Sequence, residues 1–265
     1  MKDLCFWAIG NGKHALMLQT LVNSFHAVGM QEDFHVFSDR KILGATTHPI
    51  KKLTEFERKT FFFKFTFLRS FMKELNYRYF VFLDADNYFV RKMPSILGLM
   101  QNSPIHASFE SDCTLLSKRK IWHDCPLPKY VEMMRQCGVT SESVYNVNGG
   151  FFIVKKEAIE LVCSLAEDFW KYCASQGYVF TEEPSLAYAM HMLCEDPKCH
   201  LLRSNSDIWC SDWTGHFAER LPDDKGWMFS DYMNEEKFYV NPAIVHAIKS
   251  KEALIAKNLF LPEDF

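Results

Sequence analysis

The chain has 265 residues, 48% of them apolar and 24% charged, with a formal net charge of -3. That length allows one large α/β domain or two small ones, and the apolar content suffices for a sizeable core; a single domain is expected. A near-neutral charge without a long basic run argues against nucleic acid as a partner.

No run of about 18 apolar residues occurs, and the apolar opening stops at Gly10-Asn11-Gly12, so neither a membrane span nor a signal segment is expected. Nine cysteines form an odd set without the spacing of a disulfide scaffold, which suits reduced thiols and a cytoplasmic protein. Cys194 with Cys199-His200 is the only tight Cys/His cluster, and it lacks a second ligand pair at zinc spacing.

In chain order, "LCFWAIGNG" reads as a buried strand ending in a glycine turn. Leu18, Leu21, Val22, Phe25 and Val28 follow at helical spacing, and "FHVFSD" at 34–39 is a second strand. A βαβ unit this early predicts a mostly parallel sheet, with a ligand edge beyond the strand carboxyl ends near Ala8 to Asn11 and Ser38-Asp39. Thr54 and Glu57 have capping-box spacing, and one helix is predicted from there to about Leu75, its seven phenylalanines serving as core. Lys64 and Arg69 are its exceptions, either solvated or leaning toward an anion.

"YFVFLDADNYFV" at 79–90 is the third strand, followed by a short helix near 95–100 and a fourth strand, "IHASFE". Residues 111–143 lose all period and are expected to be an irregular excursion. "YNVNGGFFIVKK" returns to a strand, and Ile159, Val162, Leu165, Ala166 and Phe169 mark another helix. In "FTEEPSLAYAMHML", Pro184 suits a first helical turn and places Glu182 and Glu183 at a helix N-terminus, where negative charge is favoured. "KFYV" and "AIVH" are short late strands, the second releasing His246 ahead of Lys249 and Lys251.

Asp84 and Asp86 follow five apolar residues, and acids are costly to bury without a partner. Side chains two apart on an extended segment point the same way, so both can converge on one hard cation, Mn²⁺ or Mg²⁺. His246 would add a nitrogen and favour Mn²⁺, although a lone histidine is more often a satisfied core residue.

With these stretches in view, the chain resembles the nucleotide-sugar glycosyltransferases of the GT-A fold over nearly its whole length. "FLDADNYFV" looks like their DxD strand, "AIGNGKHALMLQTLVNSFHAVG" like their base-binding strand and helix, and "NVNGGFFIVKK" like the strand after the acceptor loop. "TEEPSLAYAM" is similar to the acidic helix start of family 6, and "IVHAIKSK" to the late His and Lys of family 8, without that family's Gly and Lys-Pro-Trp ending.

The resemblance implies one Rossmann-like GT-A domain over 1–265, with a nucleotide-binding half at about 1–110 and an acceptor side at about 111–265. It implies a UDP-sugar donor, a carbohydrate acceptor and a metal held by Asp84, Asp86 and His246. Asp84 and Ala85 would also meet the donor. Ala8, Ile9 and Asn11 would line the nucleoside pocket with Asp39 near the base or ribose, and Asn148, Gly149 and Gly150 would approach the sugar. Lys64, Arg69, Lys249 and Lys251 would face the phosphates. Glu183 would be a base, a nucleophile or cation stabiliser, or a hydrogen-bond anchor; Asp212, between Trp209 and Trp213, is a second candidate base.

Two other functions share parts of this pattern. A haloacid-dehalogenase-type phosphatase also places Asp-x-Asp after an apolar strand, with Asp223 and Asp224 as later acids, but normally on its first strand. A non-catalytic nucleotide-sugar-binding module would bind nucleotide and metal without turnover.

Overall fold

A computed structural model describes residues 1–50, 52–100, 103–114, 120–194, 202–203, 208–211, 219–220, 227–231, 236–240 and 242–248. In chain order the elements are β1 (Lys2–Ile9), α1 (Lys13–Ala27), β2 (Asp33–Ser38), β3 (Thr46–Pro49), α2 (Glu55–Thr60), α3 (Phe63–Ser70), β4 (Tyr77–Asp84), β5 (Asn87–Phe89), α4 (Leu97–Met100) and β6 (Ile105–Asp112). There follow β7 (Ile121–Trp122), β8 (Cys125–Pro126), α5 (Leu127–Gln136), β9 (Tyr145–Lys155), α6 (Ile159–Ser175), α7 (Glu182–Leu193), β10 (Leu202–Arg203), β11 (Trp209–Ser211), β12 (Glu219–Arg220), β13 (Trp227–Asp231), β14 (Glu236–Val240) and β15 (Ile244–His246).

The protein is α/β, with a seven-stranded sheet in the order β10-β6-β9-β4-β1-β2-β3 flanked by helices. The sheet is mixed rather than simply parallel, because β1, β2 and β3 pair in parallel whereas β6 and β9 pair antiparallel. The described residues form two compact units, one within Met1–Asp3, Lys52–Phe80 and Leu97–Leu201, the other within Leu4–Lys51, Val81–Ile96 and Leu202–Phe265. No described helix is long and apolar enough to cross a membrane.

In the unit that begins at Leu4, β1 is buried continuously from Cys5 to Ile9, as the unbroken apolar run requires of a strand covered on both faces. Phe6, Phe25, Phe34 and Phe89 meet with ring centroids 5.1–6.0 Å apart, mostly edge to face, and fix α1 on the sheet. Phe89 accepts a further tie through its backbone N–H, which donates to Ser24 Oγ of α1 at 2.9 Å. A second, three-stranded sheet in this unit runs β11-β15-β5.

In the other unit the single helix predicted from Thr54 to Leu75 is broken. The capping box forms as expected, Thr54 accepting from the Glu57 N–H and Glu57 from the Thr54 N–H, but α2 ends after one and a half turns at Phe61, which is left-handed at φ 57°. The break has a packing reason. Phe56 and Phe62 lie about 240° apart around a continuous helix, on different faces; the interruption lets both rings contact Trp170 of α6, at 4.7 and 5.8 Å.

The stretch expected to be irregular instead holds the β7–β8 hairpin and α5. Leu127, Tyr130, Met133 and Met134 form the buried face of α5, with Pro128 in its first turn. Tyr130 meets Trp122 at 5.0 Å and Phe169 at 6.4 Å, which anchors hairpin and helix together.

His191, on α7, holds the start of β9. Its Nε2 accepts from the Tyr145 N–H at 2.9 Å while Ser141 Oγ lies 3.0 Å from Nδ1, so the neutral ring is the form that fits. Burial, reinforced by the Arg135 charge, lowers its pKa from 6.5 to about 4. The neutral ring therefore stabilises the fold fully above pH 6.5, and that contribution, about 3 kcal/mol, is lost as pH falls through the interval to about 4. Urea unfolding at stepped pH should show this slope in the parent chain and its loss in His191→Gln. At α2, Thr54→Ala should cost about 1 kcal/mol in the same assay.

Candidate functional site

β4 delivers Asp84 at its carboxyl end, and Ala85 and Asp86 occupy the turn into β5. The two acids therefore converge through a turn, where extended alternation was the expectation. Asn87 fixes that turn: its amide donates to the Asp84 carbonyl at 2.9 Å, and its Oδ1 accepts from the indole of Trp209 at 2.8 Å. Trp209 is fully buried, so its role is in the core and it presents no face to a sugar.

His246 reaches the same place because β15 pairs with β5, setting His246 opposite Asn87, and the Ala247 N–H donates to the Asp86 carbonyl at 2.8 Å. Its Nε2 lies 3.0 Å from Asp86 Oδ1 and 4.0 Å from Asp84 Oδ2. One ligand atom from each of the three residues lies within 4.8 Å of the others. Opposite ligands of a hard six-coordinate cation stand about 4 Å apart, so a small contraction would close these three around one ion. Two carboxylates and an imidazole form an O,O,N set that could hold a metal ion, and the remaining positions would fall to water or ligand oxygens. Ala85 is buried between the acids.

The same unit contains the turn after β1. Asp39, exposed beyond β2, accepts the Gly12 N–H on both carboxylate oxygens at 3.1 and 3.2 Å, which ties this turn to the end of β2. Asn11 is exposed beside it, whereas Ala8 is fully buried in β1 and Ile9 nearly so. Of the residues expected to line a nucleoside pocket, Asn11 and Asp39 thus present surface, and Ala8 does not.

The other unit gathers Lys64, Asn148, Gly149, Gly150, Glu182 and Glu183. Opposite Ala107 and Ser108 of β6, β9 carries residues 149–151 as an unpaired bulge. The groups that the bulge frees are satisfied one by one: the Gly149 N–H donates to Glu183 Oε1 at 2.8 Å, the Gly149 carbonyl accepts from Lys64 Nζ at 3.0 Å, and the Gly150 N–H donates to Asn148 Oδ1 at 2.8 Å. A Cβ on Gly149 would lie 2.4 Å from Glu182 Oε1, so glycine is required there by the approach of α7. That neighbour is protein, where a sugar was expected.

Lys64 is neither solvated nor directed to a ligand anion. It is buried and pairs with Glu182 at 2.5 Å, both side chains only 4% exposed. Glu183 is half-buried. Burial alone would raise its pKa, but the hydrogen bond and charge of His123, the Gly149 N–H and the charge of Lys64 outweigh it and hold the carboxyl below its usual range. A carboxylate so held is a weak proton acceptor, and its two oxygens are engaged, one by Gly149 and one by His123 at 2.7 Å. His123 and Glu182 carry this network, and sequence reasoning gave neither a role at the site.

Arg69 departs from the expected phosphate contact: its guanidinium pairs with Glu167 at 2.7 Å and Glu160 at 3.2 Å along α6. Asp212, Trp213, Lys249, Lys251, Asp223, Asp224, Cys199 and His200 lie outside the described residues. The eight described cysteines are free thiols, and burial pushes Cys194 up to about 11. No protein-family model matches the chain, and no curated protein matches it.

Because Glu182 would be left as an uncompensated buried charge, Lys64→Met should cost about 3–5 kcal/mol. Adding Glu182→Gln to that variant should recover a large part of the loss, as measured by a denaturant double-mutant cycle.

Proposed function

We propose that the chain is a metal-dependent glycosyltransferase of GT-A architecture that moves a hexose from a UDP-sugar to a carbohydrate-type hydroxyl. The observation that carries the proposal is the convergence of Asp84, Asp86 and His246 at the carboxyl end of an apolar strand in an α/β sheet. Ligands of such sheets bind beyond the strand carboxyl ends, and the "FLDADNYFV" pattern there resembles the DxD strand of nucleotide-sugar transferases.

Asp84, Asp86 and His246 would hold Mn²⁺ or Mg²⁺, which when bound supplies the positive charge that stabilises a departing nucleotide diphosphate. Asn87 and Trp209 keep the Asp84–Asp86 turn in one conformation, so the carboxylates need little reorganisation to engage the ion. Asn11 and the Gly12-bound Asp39 offer polar groups for a base or ribose.

The test is a panel of nucleotide sugars in thermal-shift and turnover assays, with Mn²⁺ and with chelator. A UDP-hexose with Mn²⁺ should raise the Tm, and chelator should remove both the shift and the turnover. Asp84→Asn or Asp86→Asn should each lower turnover about a hundredfold or more. Unchanged turnover in both variants, or hydrolysis of an aryl phosphate exceeding sugar transfer, would exclude this function.

A further inference from the structure

The sheet β11-β15-β5, which lies wholly in the unit that begins at Leu4, has two unlike faces. Side chains alternate along a strand, and the register sets Ser211 and Asn87 on either side of His246, with Trp209 and Phe89 on either side of Ile244. Trp209, Ser211, His246 and Asn87 therefore share one face. Tyr88, Cys210, Val245 and Ala247 pack together as an apolar cluster on the other.

β15 is the middle strand, and neighbouring strands lie about 4.8 Å apart, so β11 and β5 stand about 10 Å from each other. The indole of Trp209 spans that gap: its N–H donates to Asn87 Oδ1, on the far strand, at 2.8 Å. Its ring also packs on His246, with centroids 5.6 Å apart and planes at 42°. Asn87 in turn donates to the Asp84 carbonyl at 2.9 Å, which closes the turn that carries Asp86. One fully buried side chain thus meets the imidazole directly and holds the turn of both acids through a single amide.

We propose that Trp209 is the positioning residue of the Asp84–Asp86–His246 group, bracing the imidazole against the carboxylate turn so that all three offer their ligand atoms to one divalent cation; this rests on the proposal above that the group holds a metal. The acids and the histidine arrive on different strands, and a bridge between those strands fixes their separation before the ion enters. Groups that orient metal ligands from behind commonly carry about ten- to hundredfold in affinity. A phenylalanine at 209 would keep most of the ring contact and lose the bridge.

The test measures Mn²⁺ binding to the full chain from the paramagnetic resonance signal of the free ion, with neither donor nor acceptor present, so the readout is independent of turnover. Trp209→Phe should weaken Mn²⁺ binding about tenfold or more. Asn87→Ala, which leaves the indole in the core, should weaken it at least as much, and the double variant should bind no worse than Asn87→Ala alone, because the bridge is already gone. Trp170→Phe is the control: in the other unit it loses an indole hydrogen bond of the same kind, to the Phe180 carbonyl at 2.9 Å, and should leave Mn²⁺ binding unchanged.

Parent-like Mn²⁺ binding in Trp209→Phe or Asn87→Ala, an equal loss in Trp170→Phe, or additive losses in the double variant would overturn this role and leave the metal group standing. Absence of Mn²⁺ binding by the parent chain, or binding that survives Asp86→Asn unchanged, would instead remove the metal group, and this role with it.

Discussion

An ionised group buried among aromatic and aliphatic side chains costs several kcal/mol unless an opposite charge or a fixed dipole meets it. That constraint governs both polar constellations of this protein. Lys64 and Glu182 answer each other in one unit, and the Gly149 carbonyl accepts a second hydrogen bond from the ammonium. In the other unit Asp86 faces His246, while Asp84 stands half-buried at a strand end where a cation can reach it. The first arrangement is closed, with charge matched by protein alone. The second brings two acids and one imidazole together in a group that could hold a metal ion.

The sequence makes the strands legible wherever burial is continuous, as in Cys5–Ile9 and Tyr79–Leu83, because apolar runs bounded by turn residues leave few alternatives. The pairing of Asp84 with Asp86 was equally readable, being local. Periodicity did not show the break at Phe61, since it depends on Trp170, a residue more than a hundred positions away that draws both Phe56 and Phe62. α5 was legible but obscured: Leu127, Tyr130, Met133 and Met134 carry a helical spacing, while Pro126, Pro128 and the neighbouring cysteines suggest a loop.

Other site features depend on contacts that no local pattern records. Lys64 sits in a run of phenylalanines, which reads as a charged exception on a helix; only the approach of α7 to the β9 bulge explains its burial. The glycines of "NVNGG" signal close backbone contact, and at Gly149 the groups that come close are Glu182 and Glu183 of α7. His123 had one signal available in the sequence: a two-residue gap between short β-prone pairs, occupied by His-Asp in place of the usual turn residues.

The three-stranded sheet β11-β15-β5 sets the order in which Asp84, Asp86 and His246 come together. His246 is separated from Asp86 by 160 positions, and β15 is held between β5 and β11. The imidazole therefore joins the carboxylates only after a long loop has closed, a slow kind of contact to make. During synthesis the acids emerge well before their nitrogen partner, so the three side chains are brought together only once the chain's distal strands have formed.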